Sequence, residues 1–122
     1  PGFVSKDEFN ALARGSRALI FPSLFEGFGM PVVEAMDCGI PVLCANCTSL
    51  PEIAGDAALY FDPRKPDDIC RAIEELEADP RLGQVLTARG AARAKLFSDR
   101  HAWAQAYWKV FREAFGSGDV AK

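Results

Sequence analysis

No stretch of about 18 apolar residues occurs in this 122-residue chain, so nothing in it spans a bilayer as a helix. Positive charge is not in excess either. Fourteen Lys and Arg stand against seventeen Asp and Glu, a formal net charge of −3. Without a basic patch a nucleic-acid partner is not expected, because that binding draws most of its affinity from Lys and Arg on phosphates. Histidine occurs once, as His101. Close to a helix start, it reads as a surface or capping residue rather than a catalyst. Cys38, Cys44, Cys47 and Cys70 include one Cys-x-x-Cys, Cys44 to Cys47, with no second pair to complete a zinc site. They read as structural thiols in a reducing, cytoplasmic setting. No repeat, low-complexity tract or signal-peptide pattern is visible.

What is present is 49% hydrophobic, enough for one core in one domain or part of one. Ser5 with Glu8 three residues on forms a capping-box pattern, and Phe9, Leu12 and Ala13 give the apolar face of a short helix ending at Gly15. Strands are expected at 18–22, 41–45 and 58–61, with a helix from about Pro31 to Gly39 between the first two. Strands alternating with helices imply an α/β fold whose parallel sheet is covered on both faces. The rest is helical. Pro66 opens a helix with Ile69, Ala72, Ile73 and Leu76 on one face, Asp79-Pro80 breaks it, and another runs from Arg81 to about Phe97. Ser98 or Asp99 caps a last helix. Its stripe of Trp103, Ala106, Tyr107, Val110, Phe111 and Ala114 reads as core packing. Trp108 and Phe115 lie off the stripe, at exposed or interface positions. Residues 1–115 form the domain, and 116–122 a frayed polar tail.

The chemistry concentrates between Pro22 and Met36. The apolar run Ala18-Leu19-Ile20-Phe21 ends at Pro22, a loop with Gly27 and Gly29 follows, and Pro31 suits a first helical turn because its missing N–H would lack a partner there. The result is a strand, a glycine-bearing loop and a helix N-terminus, whose free N–H groups attract anions. Glu26 and Glu34 flank it, with seven residues between them. A carboxylate repels phosphate, but its two acceptor oxygens suit a vicinal diol. Anion-binding backbone beside diol-binding carboxylates is what a sugar nucleotide requires.

This segment resembles the E-x7-E motif of retaining glycosyltransferases with the GT-B fold, of the family 4 (group 1) type. Gly2-Phe3-Val4-Ser5, the run Ala18 to Ser23, Glu34-Ala35-Met36-Asp37-Cys38-Gly39-Ile40-Pro41-Val42 and Ser49 to Ala58 are similar to further segments of that family, in the same order. The resemblance implies a Rossmann-like domain that binds a nucleotide sugar, seen from the end of its third strand to its C-terminus. The N-terminal, acceptor-binding domain and the opening strands, with their donor-gripping Arg and Lys, have no counterpart in this sequence. The last helix would cross back to that other domain.

The implied reaction moves a hexose from a nucleoside-diphosphate donor, GDP-mannose ahead of UDP-glucose, to an acceptor hydroxyl in polysaccharide or glycolipid synthesis. Anomeric configuration is retained. By resemblance, Glu26 is the catalytic and sugar-holding carboxylate and Glu34 holds the ribose. The backbone of Gly27, Phe28, Gly29 and Met30 reaches the sugar and the diphosphate. No Asp-x-Asp occurs, and Asp67-Asp68 simply begin a helix, so neither a bridging metal nor another cofactor is expected. Glu52, in a loop after Pro51, is a further candidate for the nucleotide. The isolated chain is expected to be inactive and to pair with a second copy through the bare edge at 18–22. Its location is expected to be cytoplasmic, with peripheral attachment to the inner face of the membrane as an option. A non-catalytic nucleotide-sugar binding module and a purely structural or interaction domain remain as alternatives.

Overall fold

The structure is a computed structural model, and it describes residues 2–98 and 100–115. The elements are α1 (Lys6–Gly15), β1 (Leu19–Phe21), α2 (Met30–Asp37), β2 (Val42–Ala45), α3 (Leu50–Ala54), β3 (Ala58–Phe61), α4 (Pro66–Ala78), α5 (Pro80–Ser98) and α6 (Arg100–Phe115). The strands form one parallel sheet in the order β1-β2-β3, with Leu19 opposite Val42 and Ala45 opposite Phe61. All four residues of β2 are buried. Side chains alternate across a strand, so both faces of the sheet are covered, as the sequence implied. Val32, Ala35 and Met36 of α2 join Val42, Leu43, Leu50 and Phe61 in the core.

Local chemistry explains most boundaries. At α1, Ser5 Oγ accepts the Glu8 N–H at 3.3 Å and the Glu8 carboxylate accepts the Ser5 N–H at 2.7 Å, so the capping box is closed. Those bonds hold the Glu8 carboxyl below its ordinary pKa. At the other end of α2, Gly39 takes φ +76°. Its N–H donates to Met36 and that of Ile40 to Ala35, a Schellman closure that needs the missing Cβ. On α4, Ala72 is buried, with Ile69, Ile73 and Leu76 packed against the core beside it.

Three expectations need correction. Residues 50–54 are helical, so Glu52 stands exposed in the first turn of α3 rather than in a loop. A five-residue helix shows no periodicity, which is why an apolar pattern missed it. The last helix does form, but its stripe does not fill the core: every residue from 104 to 115 is exposed, including Tyr107, Val110 and Phe111 alongside Trp108 and Phe115. Helical periodicity reports an amphipathic face without saying what covers it. Finally, the strand expected at 18–22 narrows to Leu19–Phe21. Asp99, the side chains of His101 and Trp103, and the tail 116–122 lie outside the described residues. Among the described residues no helix is long and apolar enough to cross a membrane.

Beyond β3, the Asp68 carboxylate accepts the Asp62 N–H at 2.7 Å and Arg71 Nε at 2.6 Å, and Arg71 also donates to the Tyr60 carbonyl. These bonds hold the Asp68 carboxyl below the ordinary 3.8, and the Arg64 N–H does the same for Asp62. A lowered carboxylate pKa stabilises the fold fully above the ordinary value, and that contribution is lost as pH falls through the lowered one. Melting followed from about pH 6 to about pH 2 should therefore show a midpoint that drops only in the acid limb, and less steeply in Asp68→Asn.

Candidate functional site

Pro22 has no N–H to offer a ladder, and β1 ends one residue before it. The loop that follows is braced against the turn between β2 and α3. Ser23 Oγ donates to Glu26 Oε1 at 2.9 Å. The Glu26 N–H donates to Thr48 Oγ1 at 3.3 Å, and Ser49 Oγ donates to the carbonyls of Glu26 and Phe28, each at 3.1 Å. Cys47 Sγ lies 3.6 Å from the Ser23 and Leu24 carbonyls. Glu26 is thus tied down through its side chain, its N–H and its carbonyl.

Gly29 is the N-cap of α2 at φ +96°, and a Cβ there would stand 2.7 Å from Leu50 Cδ2. Only glycine meets both the backbone and the space. No side chain caps α2 and no acidic residue lies in its first turn, so the helix brings no carboxylate of its own to its positive end. Gly27 and Met30 are exposed, while Phe28 is half-buried. The Phe28 ring meets Phe97 of α5 edge-on at 5.6 Å. Arg93 lies 5.7 Å over Phe97 and donates to the carbonyls of Ile53 and Glu52, joining α5 to α3.

Glu34 lies a turn into α2 and is half-buried. It lines a cleft of about 250 Å³ with Met30, Val33 and Asp37 of the same helix, Lys6 and Asn10 of α1, and Ala94, Phe97 and Ser98 of α5. Glu26 does not line this cleft. Glu34 and Met30 thus line the cleft, whereas Glu26 stands on the braced loop. α5 packs closely on α2 beside the cleft. A Cβ on Gly90 would stand 3.1 Å from Met36 Cγ, so α5 sits against α2 through a missing side chain.

Reading the sequence missed Lys6, Asn10, Thr48, Ser49, Arg93 and Phe97. One signal was available: Ser49-Leu50-Pro51-Glu52 has the Ser-x-x-Glu spacing and early proline of a helix start. The cysteines are free, and burial pushes the Cys44 thiol up to about 12, so it stays protonated at neutral pH.

The family described as "Glycosyl transferases group 1" matches residues 1–93, which include the loop, α2 and the turn before α3. The chain belongs to the group 1 glycosyltransferases. It is 45% identical over 97 residues to O-antigen chain mannosyltransferase B of Escherichia coli, covering 80% of this chain and 26% of that protein. Over 94 residues it is 33% identical to MMP alpha-(1->4)-mannosyltransferase of Mycolicibacterium hassiacum, covering 75% and 23%. Among solved structures, sucrose-phosphate synthase from Thermosynechococcus elongatus aligns with a TM-score of 0.81 at 24% identity, over 94% of this chain and 29% of that one. That likeness shows a shared fold. This group 1 glycosyltransferase chain spans about a quarter of the length of these relatives.

Proposed function

We propose that this chain is the donor-binding portion of a retaining hexosyltransferase that takes a mannosyl group from GDP-mannose, with UDP-glucose as the second choice. The observation that carries the reading is the uncapped start of α2 between a braced Glu26 and a cleft-lining Glu34. In this reading Glu34 accepts the ribose diol, Lys6 places a cation in the same cleft, and Glu26 accepts hydroxyls of the sugar. As the anomeric bond breaks, charge grows on the departing diphosphate. N–H groups of Gly27, Gly29 and Met30, already oriented, stabilise that charge without reorganising. The acceptor is deprotonated on the same face with help from the leaving phosphate, and no side chain of this segment serves as general base. The mannosyltransferase names of the two relatives support mannose as the sugar.

The test is incubation of the intact protein with GDP-mannose or UDP-glucose and an oligosaccharide acceptor, with the product's anomeric coupling read by NMR. Retention with the mannosyl donor is the expected result, and inversion or a product only from UDP-glucose contradicts the corresponding part. We place the reaction in polysaccharide or glycolipid synthesis at the cytoplasmic side of a membrane. It needs no divalent metal, so transfer should persist at full rate in excess EDTA.

The 122 residues alone should bind donor without transferring it. They should also self-associate, because β1 is an edge whose Ile20 is 43% exposed. Light scattering on the isolated chain should report a dimer, and Ile20→Lys should return it to monomer. A monodisperse wild-type monomer contradicts the pairing.

A further inference from the structure

The turn between β2 and α3, where Thr48 Oγ1 donates to the Cys47 carbonyl at 2.8 Å, carries two further features that point away from its own helix. Thr48 sits at φ +54°, where a β-branched residue is an outlier that glycine would relieve. Ser49 occupies the N-cap of α3, yet its hydroxyl makes no bond to its own helix. A serine there ordinarily satisfies a first-turn N–H. Both side chains reach across to the loop before α2, more than twenty residues back. Thr48 Oγ1 holds the Glu26 N–H, and the single Ser49 hydroxyl proton is shared between the carbonyls of Glu26 and Phe28.

Peptide planarity turns those contacts into an orientation. A trans peptide sets its C=O antiparallel to the following N–H, and no peptide among the described residues is cis. With the Glu26 and Phe28 carbonyls drawn to Ser49, the N–H groups of Gly27 and Gly29 face away from it. Neither has a hydrogen-bond partner among the described residues. The Phe28 ring between them is fixed on Phe97. Two unpartnered N–H donors turned to one side of a loop are a backbone arrangement that receives an anionic oxygen. Strained backbone that neighbouring bonds hold in place is a recurrent feature of such sites.

We propose that Thr48 and Ser49 are positioning residues that preset this loop, so that the Gly27 and Gly29 N–H groups meet a diphosphate oxygen of the donor. The proposal rests on the donor-site reading above. Loop order is imposed from the β2–α3 turn before any ligand arrives.

The experiment is a GDP titration of the ¹⁵N-labelled protein and of Ser49→Ala, Ser49→Thr and Thr48→Gly, with melting of each. On GDP addition the Gly27 and Gly29 amide protons should move downfield. Ser49→Ala should bind GDP about tenfold more weakly, the loss expected when one hydrogen bond to the loop goes, with smaller amide shifts and little change in melting. Ser49→Thr keeps the hydroxyl and should restore both. Thr48→Gly should weaken GDP while melting at the same temperature or higher, because strain is released as the Glu26 contact is lost. A merely structural role gives the opposite pattern, lower melting with unchanged affinity, and that overturns the proposal. Wild-type GDP affinity and amide shifts in Ser49→Ala overturn it too, leaving the donor site intact. Should the wild type bind none of GDP, UDP and ADP, the donor-site reading fails instead. Residual dipolar couplings of the two glycine amides then decide the orientation: changed in Ser49→Ala they uphold it, unchanged they overturn it.

Discussion

Glu34→Gln should weaken GDP binding by about 10- to 100-fold, the loss of one or two charge-assisted hydrogen bonds to a diol. Glu26→Gln, in contrast, should leave GDP affinity within about threefold and lower the transfer rate by about 10²- to 10³-fold, as losing one preorganised transition-state contact does. The split follows from where the structure puts the two carboxylates. Glu34 lines the cleft between α1, α2 and α5, and Glu26 stands outside it on the loop. A nucleotide without its sugar should therefore sense Glu34 and ignore Glu26. Calorimetry with GDP and rates with GDP-mannose, taken on both variants, check it. Equal losses of GDP affinity in the two would mean that the carboxylates share one ligand group, contrary to this geometry.

Phe61→Ala should cost about 3–5 kcal/mol, a large part of the ~5–15 kcal/mol that holds a domain together. Phe61 has no exposed surface and is the largest fully buried side chain among the described residues. It pairs with Ala45 at the end of β2, and its carbonyl takes the Asn46 N–H at 2.9 Å, so the cavity would open beneath the turn that leads to Thr48 and Ser49. In urea the midpoint should fall with little change in slope, and Phe61→Leu, which leaves a smaller void, should retain most of the stability. A loss below ~1 kcal/mol for alanine would show that the core collapses around the gap.

How much the sequence could tell varied with how local the cause was. The Ser5–Glu8 box and the strand at Ala58–Phe61 lie where side-chain chemistry over a few residues put them. The start of α2 was equally legible, because Gly29 and Pro31 leave the chain few choices there. Strand ends slipped by a residue because pairing, not apolar character, sets them: the Leu19 N–H still reaches the Pro41 carbonyl, but the ladder itself begins at Val42.

The candidate site was stated as a spacing, and a spacing carries no shape. Glu26 and Glu34 were chosen for their chemistry. That Lys6 and Asn10 would share the cleft with Glu34 depends on how α1 docks on α2, which no local pattern encodes. The same holds for Ser49, whose contacts span 21 and 23 residues, and for Arg93, which reaches back 40 and 41 to α3. In α6 the period was right and its meaning was not, since an apolar stripe is equally suited to a core or to an outside surface.

The most direct measurement is a calorimetric titration of the protein with GDP, UDP and ADP in the presence of EDTA. GDP should bind saturably and ahead of the other two, unaffected by chelator and weakened in Glu34→Gln. Absence of binding by all three, or GDP binding that is untouched by Glu34→Gln, would contradict the donor-site reading.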